Sequence, residues 1–189
     1  RIRTGGIDGS YLYLGGATML GKVGATWDED DFGMNYWPEP STGYPELSSI
    51  SSFANMLDTC EINDMALKFE CRVPETSPWS ASALQLIFTG NQDVTSLTAN
   101  NQYYNSTDIA RGLWLPWQST GSFNTGNEWI TVTIPLSAFN KTHEGQSAGK
   151  TITKNSMTGF TLFLWNGGVE GTDCTPELDI DNVRVVPMK

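Results

Sequence analysis

Five stretches of this chain alternate apolar and polar residues with a period of two, and that alternation constrains the fold more than any other feature. They are Ala66 to Val73 (ALKFECRV), Ala83 to Phe88 (ALQLIF), Trp129 to Leu136 (WITVTIPL), Phe160 to Trp165 (FTLFLW) and Leu178 to Val186 (LDIDNVRVV). Side chains on a strand point to opposite faces in turn, whereas an amphipathic helix needs apolar residues three or four apart, so these stretches predict half-buried strands. Ser10 to Leu14 (SYLYL) and Arg111 to Leu115 (RGLWL) are two shorter candidates, each bounded by the glycine or proline that stops a strand. Turn-forming segments lie between, among them Pro74-Glu75-Thr76-Ser77-Pro78, Gly90-Asn91-Gln92-Asp93 and Gly126-Asn127. One short helix is expected near Ser51 to Leu57, and Thr26 to Ser52, which lacks periodicity, reads as a long ordered loop. Many strands without the helical crossovers of a parallel sheet predict an all-β protein, an antiparallel β-sandwich of jelly-roll type.

At 189 residues the chain has the length of a single domain, residues 1–189. Eleven basic against 21 acidic residues leave a net charge of −10. That charge repels phosphate backbones and anionic bilayers, so nucleic acid and membrane lipid are not expected partners. No apolar run approaches the roughly 20 residues that span a bilayer. Arg1-Ile2-Arg3 opens no signal-peptide pattern, and the chain is expected to be a mature product or an excised fragment, monomeric by itself. Cys60, Cys71 and Cys174 fit no metal-ligand spacing and allow one disulfide at most; Cys71, inside a strand pattern, reads as a buried thiol.

The chemical surplus is in the seven tryptophans. In FTLFLW, placing Phe160, Leu162 and Leu164 inward turns Thr161, Phe163 and Trp165 outward. In RGLWL, placing Leu113 and Leu115 inward turns Trp114 outward, with Trp117 just past the Pro116 bend. Trp79 lies in a Pro- and Ser-rich turn, and Trp27 and Trp37 lie in the long loop. Flat aromatic rings stack on the C–H faces of sugars while neighbouring polar groups take the hydroxyls. Gln85 and Arg72 at outward strand positions and Asn91 in a turn supply such groups. A carbohydrate-binding surface is therefore expected from Trp37, Trp79, Trp114, Trp117 and Trp165, with Gln85, Arg72 and Asn91. The competing reading is that tryptophans cover loops or close the ends of the sandwich, since tryptophan is highly buried on average.

Catalysis fits less well. The single histidine, His143, stands in a polar loop without a nucleophile elbow, so no Ser-His-Asp site is expected. Glycoside hydrolysis needs only two carboxylates, and Glu177-Leu178-Asp179-Ile180-Asp181 resembles the Glu-x-Asp-x-Glu strand of jelly-roll endoglucanases. It departs from that pattern at the last position and lies at the C-terminal edge, which leaves a small glycoside hydrolase or lyase as the second reading. Apolar parity shifts between Ile180 and Val183, so Asp181 and Asn182 are expected to fix a bulge or to bond a neighbouring turn. No cofactor is expected. Asp28-Glu29-Asp30-Asp31, before Gly33, offers oxygen ligands for a structural calcium but lacks the closing glutamate of a calcium loop; a solvated charge run is the plainer reading. A third reading has the aromatic loop meet a protein partner.

Three segments together carry a family resemblance. Gly126 to Phe139 (GNEWITVTIPLSAF) resembles the strand and turn common in jelly-roll carbohydrate-binding modules, and Leu178 to Val185 resembles their closing strand. The third is a set: Ile7 to Leu12, the Trp37-Pro38 loop, Pro78-Trp79 between paired strands, and Leu115-Pro116-Trp117. Together they resemble the C-terminal glycan-binding domain of the cell-surface glycan-binding proteins that Bacteroidetes use in polysaccharide uptake. The resemblance implies a non-catalytic binder of xyloglucan or another β-glucan, held at the outer membrane by a lipid anchor in a separate region. It also implies an aromatic platform, here Trp37 and Trp79; Trp114, Trp117 and Trp165 come from parity and position alone.

Overall fold

The computed structural model describes residues 1–19, 21, 32–36, 47–90, 108–140, 152–153, 157–166, 169 and 171–188. Among them are nine strands: β1 (Ile2–Gly6), β2 (Gly9–Gly15), β3 (Phe32–Tyr36), β4 (Met65–Arg72), β5 (Ser82–Gly90), β6 (Asp108–Trp114), β7 (Ile130–Pro135), β8 (Gly159–Asn166) and β9 (Glu177–Pro187). One helix, α1 (Ser51–Thr59), stands where the short helix was expected. The strands pair antiparallel into a five-stranded sheet in the order β1-β2-β9-β4-β7 and a four-stranded sheet in the order β3-β8-β5-β6. This is the antiparallel β-sandwich that the alternation predicts.

The alternation works because each sheet turns one face to a shared core. Met65, Leu67, Phe69 and Cys71 of β4 share a core with Leu84, Leu86 and Phe88 of β5 and with Phe160, Leu162 and Leu164 of β8. Leu178 and Ile180 of β9 join them, as does Leu57 from α1. Cys71 is buried as expected, and burial pushes its thiol up to about 12, far above the range where a thiolate reacts. No disulfide joins the three cysteines.

Two strands were not legible as strands. β1 has a single large apolar residue, Ile2, which is 72% exposed on an edge strand, so it carries no alternation. β3 lies inside the segment read as a loop; it too is an edge strand, held by pairing of Phe32 to Tyr36 with Leu164 to Phe160 of β8. The bulge in β9 is present. Asn182 has φ of 50°, and the β4–β9 register shifts between Lys68 and Glu70. Asp181 does both jobs foreseen for it: one carboxylate oxygen accepts from the Asn182 N–H at 2.8 Å and the other from the Ile7 N–H at 2.8 Å, which ties the β1–β2 turn to the bulge.

Just past the bulge, Arg184 forks onto Glu70, with Nη1 and Nη2 donating to the two carboxylate oxygens at 2.7 Å each. These hydrogen bonds hold the Glu70 carboxyl below its usual 4.5. A depressed folded-state value means that the pair contributes stability above the unfolded value and loses it as pH falls through the folded one. Because the guanidinium is partly exposed, the contribution is on the order of 1 kcal/mol. In urea unfolding, Glu70→Gln should be less stable than the unmodified chain at neutral pH, and the difference should close on acidification below 4.5. A difference that stays constant with pH would show that the pair does not act through ionisation.

Candidate functional site

The two outer faces of the sandwich differ in chemistry. On the five-stranded sheet the polar groups satisfy one another. Arg72 meets Asp179 at 2.7 Å through Nη2 and at 2.8 Å through Nε, and its guanidinium lies 4.8 Å from the centre of the Trp129 ring. Tyr11 stands edge-on to Trp129 at 5.5 Å, and Arg3 covers the Tyr13 ring at 3.5 Å. The Tyr13 hydroxyl donates to Glu177 at 3.2 Å. Arg72 does point outward, but it is committed to this network and lies across the sandwich from Gln85. One ligand chain lying on a single face cannot meet both. The network also engages Glu177 and Asp179, the two carboxylates of the hydrolase reading.

Among the described side chains, the outer positions of the four-stranded sheet carry a single charge, that of Arg111, and Ala83, Gln85, Ile87, Arg111 and Thr161 there are buried. Directly opposed residues of an antiparallel pair share a face, so the register assigns every position. Leu84, Leu86 and Phe88 lie in the core, which turns Ala83, Gln85 and Ile87 outward. Opposite them on β8, Trp165 faces out beside Ala83 and Thr161 beside Ile87; on β6, Leu113 stands beside Gln85 and Arg111 beside Ile87. Trp165 and Leu113 are half-buried at this face, whereas Gln85 is 1% exposed and Arg111 2%. Nη1 of Arg111 donates to Oε1 of Gln85 at 3.1 Å. Burial holds the Arg111 guanidinium below its ordinary value.

Three of the expected platform tryptophans belong elsewhere. Trp79 is 0% exposed. Its backbone pairs with Phe123 in both directions, at 2.8 and 2.9 Å, and its indole N–H donates to the Glu177 carbonyl at 3.0 Å. The turn that carries it is thus folded onto a second segment, and the ring packs at 5.4 Å from Trp114. Trp114 points inward, against the parity assigned to RGLWL, because it opposes Leu84 of the core. Its half-buried ring meets Phe69 at 5.6 Å and Phe123 at 5.4 Å. Trp117, 9% exposed, donates its indole N–H to the Ser82 carbonyl at 2.7 Å. For these three the structural reading of tryptophan, covering turns and closing the sandwich end, is the one observed.

The parity error has a physical source. The inward positions of β6 are Ala110, Gly112 and Trp114. A side chain at Gly112 would press on the Phe139 ring at 3.1 Å, so the inward face carries a small residue, none and a large one. Leucines at the alternate positions then imitate the core pattern. Arg111 drew no notice for the same reason. The signal that could have found it is a lone charge inside an apolar strand.

Trp37 and Asn91 lie outside the described residues, as do Trp27 and the acidic run 28–31. Among the described residues no group of three or more His, Cys, Asp or Glu side chains could hold a metal ion. No helix among them is long and apolar enough to cross a membrane. Of the expected site, the structure keeps Trp165 and Gln85 on one face.

In solved structures the chain resembles the surface glycan-binding protein PbSGBP-B of Prevotella bryantii, with a TM-score of 0.77 and 30% identity, over 100% of this chain and 50% of that one. This chain therefore spans half the length of that protein. A second structure, an SGBP-B from a complex xyloglucan utilization locus in Bacteroides uniformis, aligns with a TM-score of 0.48 and 18% identity, over 95% of this chain and 40% of that one. No curated protein matches the sequence significantly. The model of one protein family matches residues 2–187, nearly the whole chain. The chain belongs to that family, the xyloglucan binding domain of surface glycan-binding protein B.

Proposed function

We propose that this chain binds a neutral β-glucan of the xyloglucan type without cleaving it, as a domain of a protein displayed at the bacterial cell surface. The observation that carries the reading is the family match over residues 2–187. The face of the four-stranded sheet supports it, with the half-buried Trp165 ring beside buried polar side chains. The net charge of −10 favours an uncharged glycan over a polyanion. Engagement of Glu177 by Tyr13 and of Asp179 by Arg72 gives the two carboxylates structural work in place of acid–base chemistry. Trp37 and Asn91, outside the described residues, remain proposed ligand contacts, and the domain acts as a monomer that needs no cofactor. Outer-membrane anchoring, in this reading, lies in a part of the protein outside this chain.

The test is affinity electrophoresis in gels containing xyloglucan, another neutral β-glucan or a uronate polymer, with reducing-end release measured alongside. Xyloglucan should retard the chain strongly and the uronate polymer should not, with no new reducing ends. Unaltered migration in every neutral glucan would overturn the binding reading. Reducing-end release that disappears in Glu177→Gln would favour hydrolysis instead.

A further inference from the structure

The five-stranded sheet ends in β1, and the pairing of β1 determines what its free side presents. Arg1 and Tyr13 exchange both backbone hydrogen bonds, at 2.9 and 2.8 Å. Such pairs alternate along an antiparallel ladder, so at Ile2 opposite Leu12 and at Thr4 opposite Ser10 the N–H and C=O groups of β1 point away from β2. Arg1, Ile2, Arg3 and Thr4 are all exposed, which leaves these two donors and two acceptors on an open edge. The side chains add an apolar step. Ile2 continues the core-facing row of Ile180 and Leu12 across the sheet, yet it is 72% exposed. Beside it lies a notch of about 190 Å³, lined by Ile2, Leu12, Ile180 and Val183 among others. An open edge with an apolar residue over an apolar notch is a template for one more strand.

Charge and length select the occupant. A second copy fits poorly: self-pairing centred on Arg3 sets Arg3 against the second copy's Arg3, self-pairing centred on Ile2 sets Arg1 against it, and each chain carries a net charge of −10. The favoured strand instead places an acidic residue opposite Arg3. The ladder is short, because the register breaks between Thr4 and Gly6, and so few hydrogen bonds do not offset the cost of immobilising a free peptide. A tethered segment escapes most of that cost through its high effective concentration. PbSGBP-B holds as much chain again outside the part that this chain matches, and residues leading into Arg1 in a chain of that kind pass the Ile2 notch. We propose that the β1 edge docks an extended segment from the adjoining region of its own protein, with an acidic residue opposite Arg3 and an apolar side chain beside Ile2 over the notch. The added strand fixes the orientation of the glycan-binding domain against its neighbour. The inference rests on the reading of this chain as one domain of a longer surface protein and does not depend on which residues hold the glycan.

Amide hydrogen exchange and thermal unfolding, each measured on the 189-residue chain and on the longer protein, test the docking. The Ile2 and Thr4 amides should exchange freely in the 189-residue chain and at least about tenfold more slowly in the longer protein, where this domain should also melt several degrees higher. Ile2→Asp should abolish both differences in the longer protein and leave the Tm of the 189-residue chain nearly unchanged, since the side chain is exposed there. Arg3→Glu should undock the segment as well, and Arg3→Lys should keep it. Equal exchange of the two amides in both proteins would overturn the proposal, as would docking that survives Arg3→Glu. Protection in the 189-residue chain that rises with its concentration would assign the edge to a second copy and overturn it too. Xyloglucan affinity of the 189-residue chain should be the same with Ile2→Asp; a loss would place Ile2 in the glycan site and overturn the docking edge. If the unmodified chain binds no glucan while the longer protein still protects Ile2 and Thr4, the binding function fails and the docking edge stands.

Discussion

Trp79→Ala is expected to destabilise the sandwich by roughly 3–5 kcal/mol, the range for emptying a large aromatic site in a core. The residue sits in a turn rich in Pro and Ser, where removal of an exposed ring would cost almost nothing. Its environment says otherwise. The ring is fully buried, bonded through its indole N–H to the Glu177 carbonyl, and in edge contact with Trp114 and Phe123. Truncation leaves a cavity, an unmet carbonyl on β9 and a Trp114 ring without one of its neighbours. Stability of that size is a large share of what a domain possesses, so much of the variant should be unfolded or aggregated near physiological temperature. Urea unfolding followed by far-UV circular dichroism gives the result directly. A variant with unchanged unfolding but lost glycan binding would return Trp79 to the ligand surface.

Trp165→Ala should do the reverse. Trp165 stands on the outer face of β8, opposite the small side chain of Ala83, and stays half-buried. Loss of a stacking ring is expected to weaken binding of soluble xyloglucan by roughly 1–2 kcal/mol, about five- to thirtyfold, with Tm shifted by only a few degrees. Trp165→Phe, which keeps a flat ring, should retain most of the affinity. Calorimetry on the two variants checks this, and equal affinities for Trp165→Ala and the unmodified chain would remove Trp165 from the site. The contrast with Trp79 is the informative result, because one substitution should spare binding per folded molecule and the other should spare the fold.

The strand segments were legible because their evidence is local. In ALKFECRV and FTLFLW the residue at each position declares its face, and the observed core follows it residue by residue, from Leu67, Phe69, Cys71 and Val73 to Phe160, Leu162 and Leu164. The kink at Asp181-Asn182 was legible for the same reason, as a break in parity. RGLWL failed because its inward face is built from Ala110, Gly112 and Trp114, so the sizes of neighbouring side chains reverse the usual pattern. β1 and β3 left little trace because their sequences, IRTGG and FGMNY, are too short and too poor in alternating apolar residues to declare a face, and pairing with one neighbour places them; β7, an edge strand too, was legible because it keeps its alternation.

The sequence by itself determined the class of the fold, the antiparallel pairing that follows from short strands and tight turns, and the sign of the net charge. Tertiary structure alone decided which aromatic rings meet solvent. Whether a turn tryptophan is exposed depends on what folds over it, and Phe123 over Trp79 is a contact between segments far apart in the chain. It also set Arg72 and Gln85 on opposite faces and brought Arg111 to Gln85 across two paired strands. Alternation is a property of neighbours in sequence, whereas burial of a polar or aromatic group is a property of neighbours in space, and a binding face is made of the second kind.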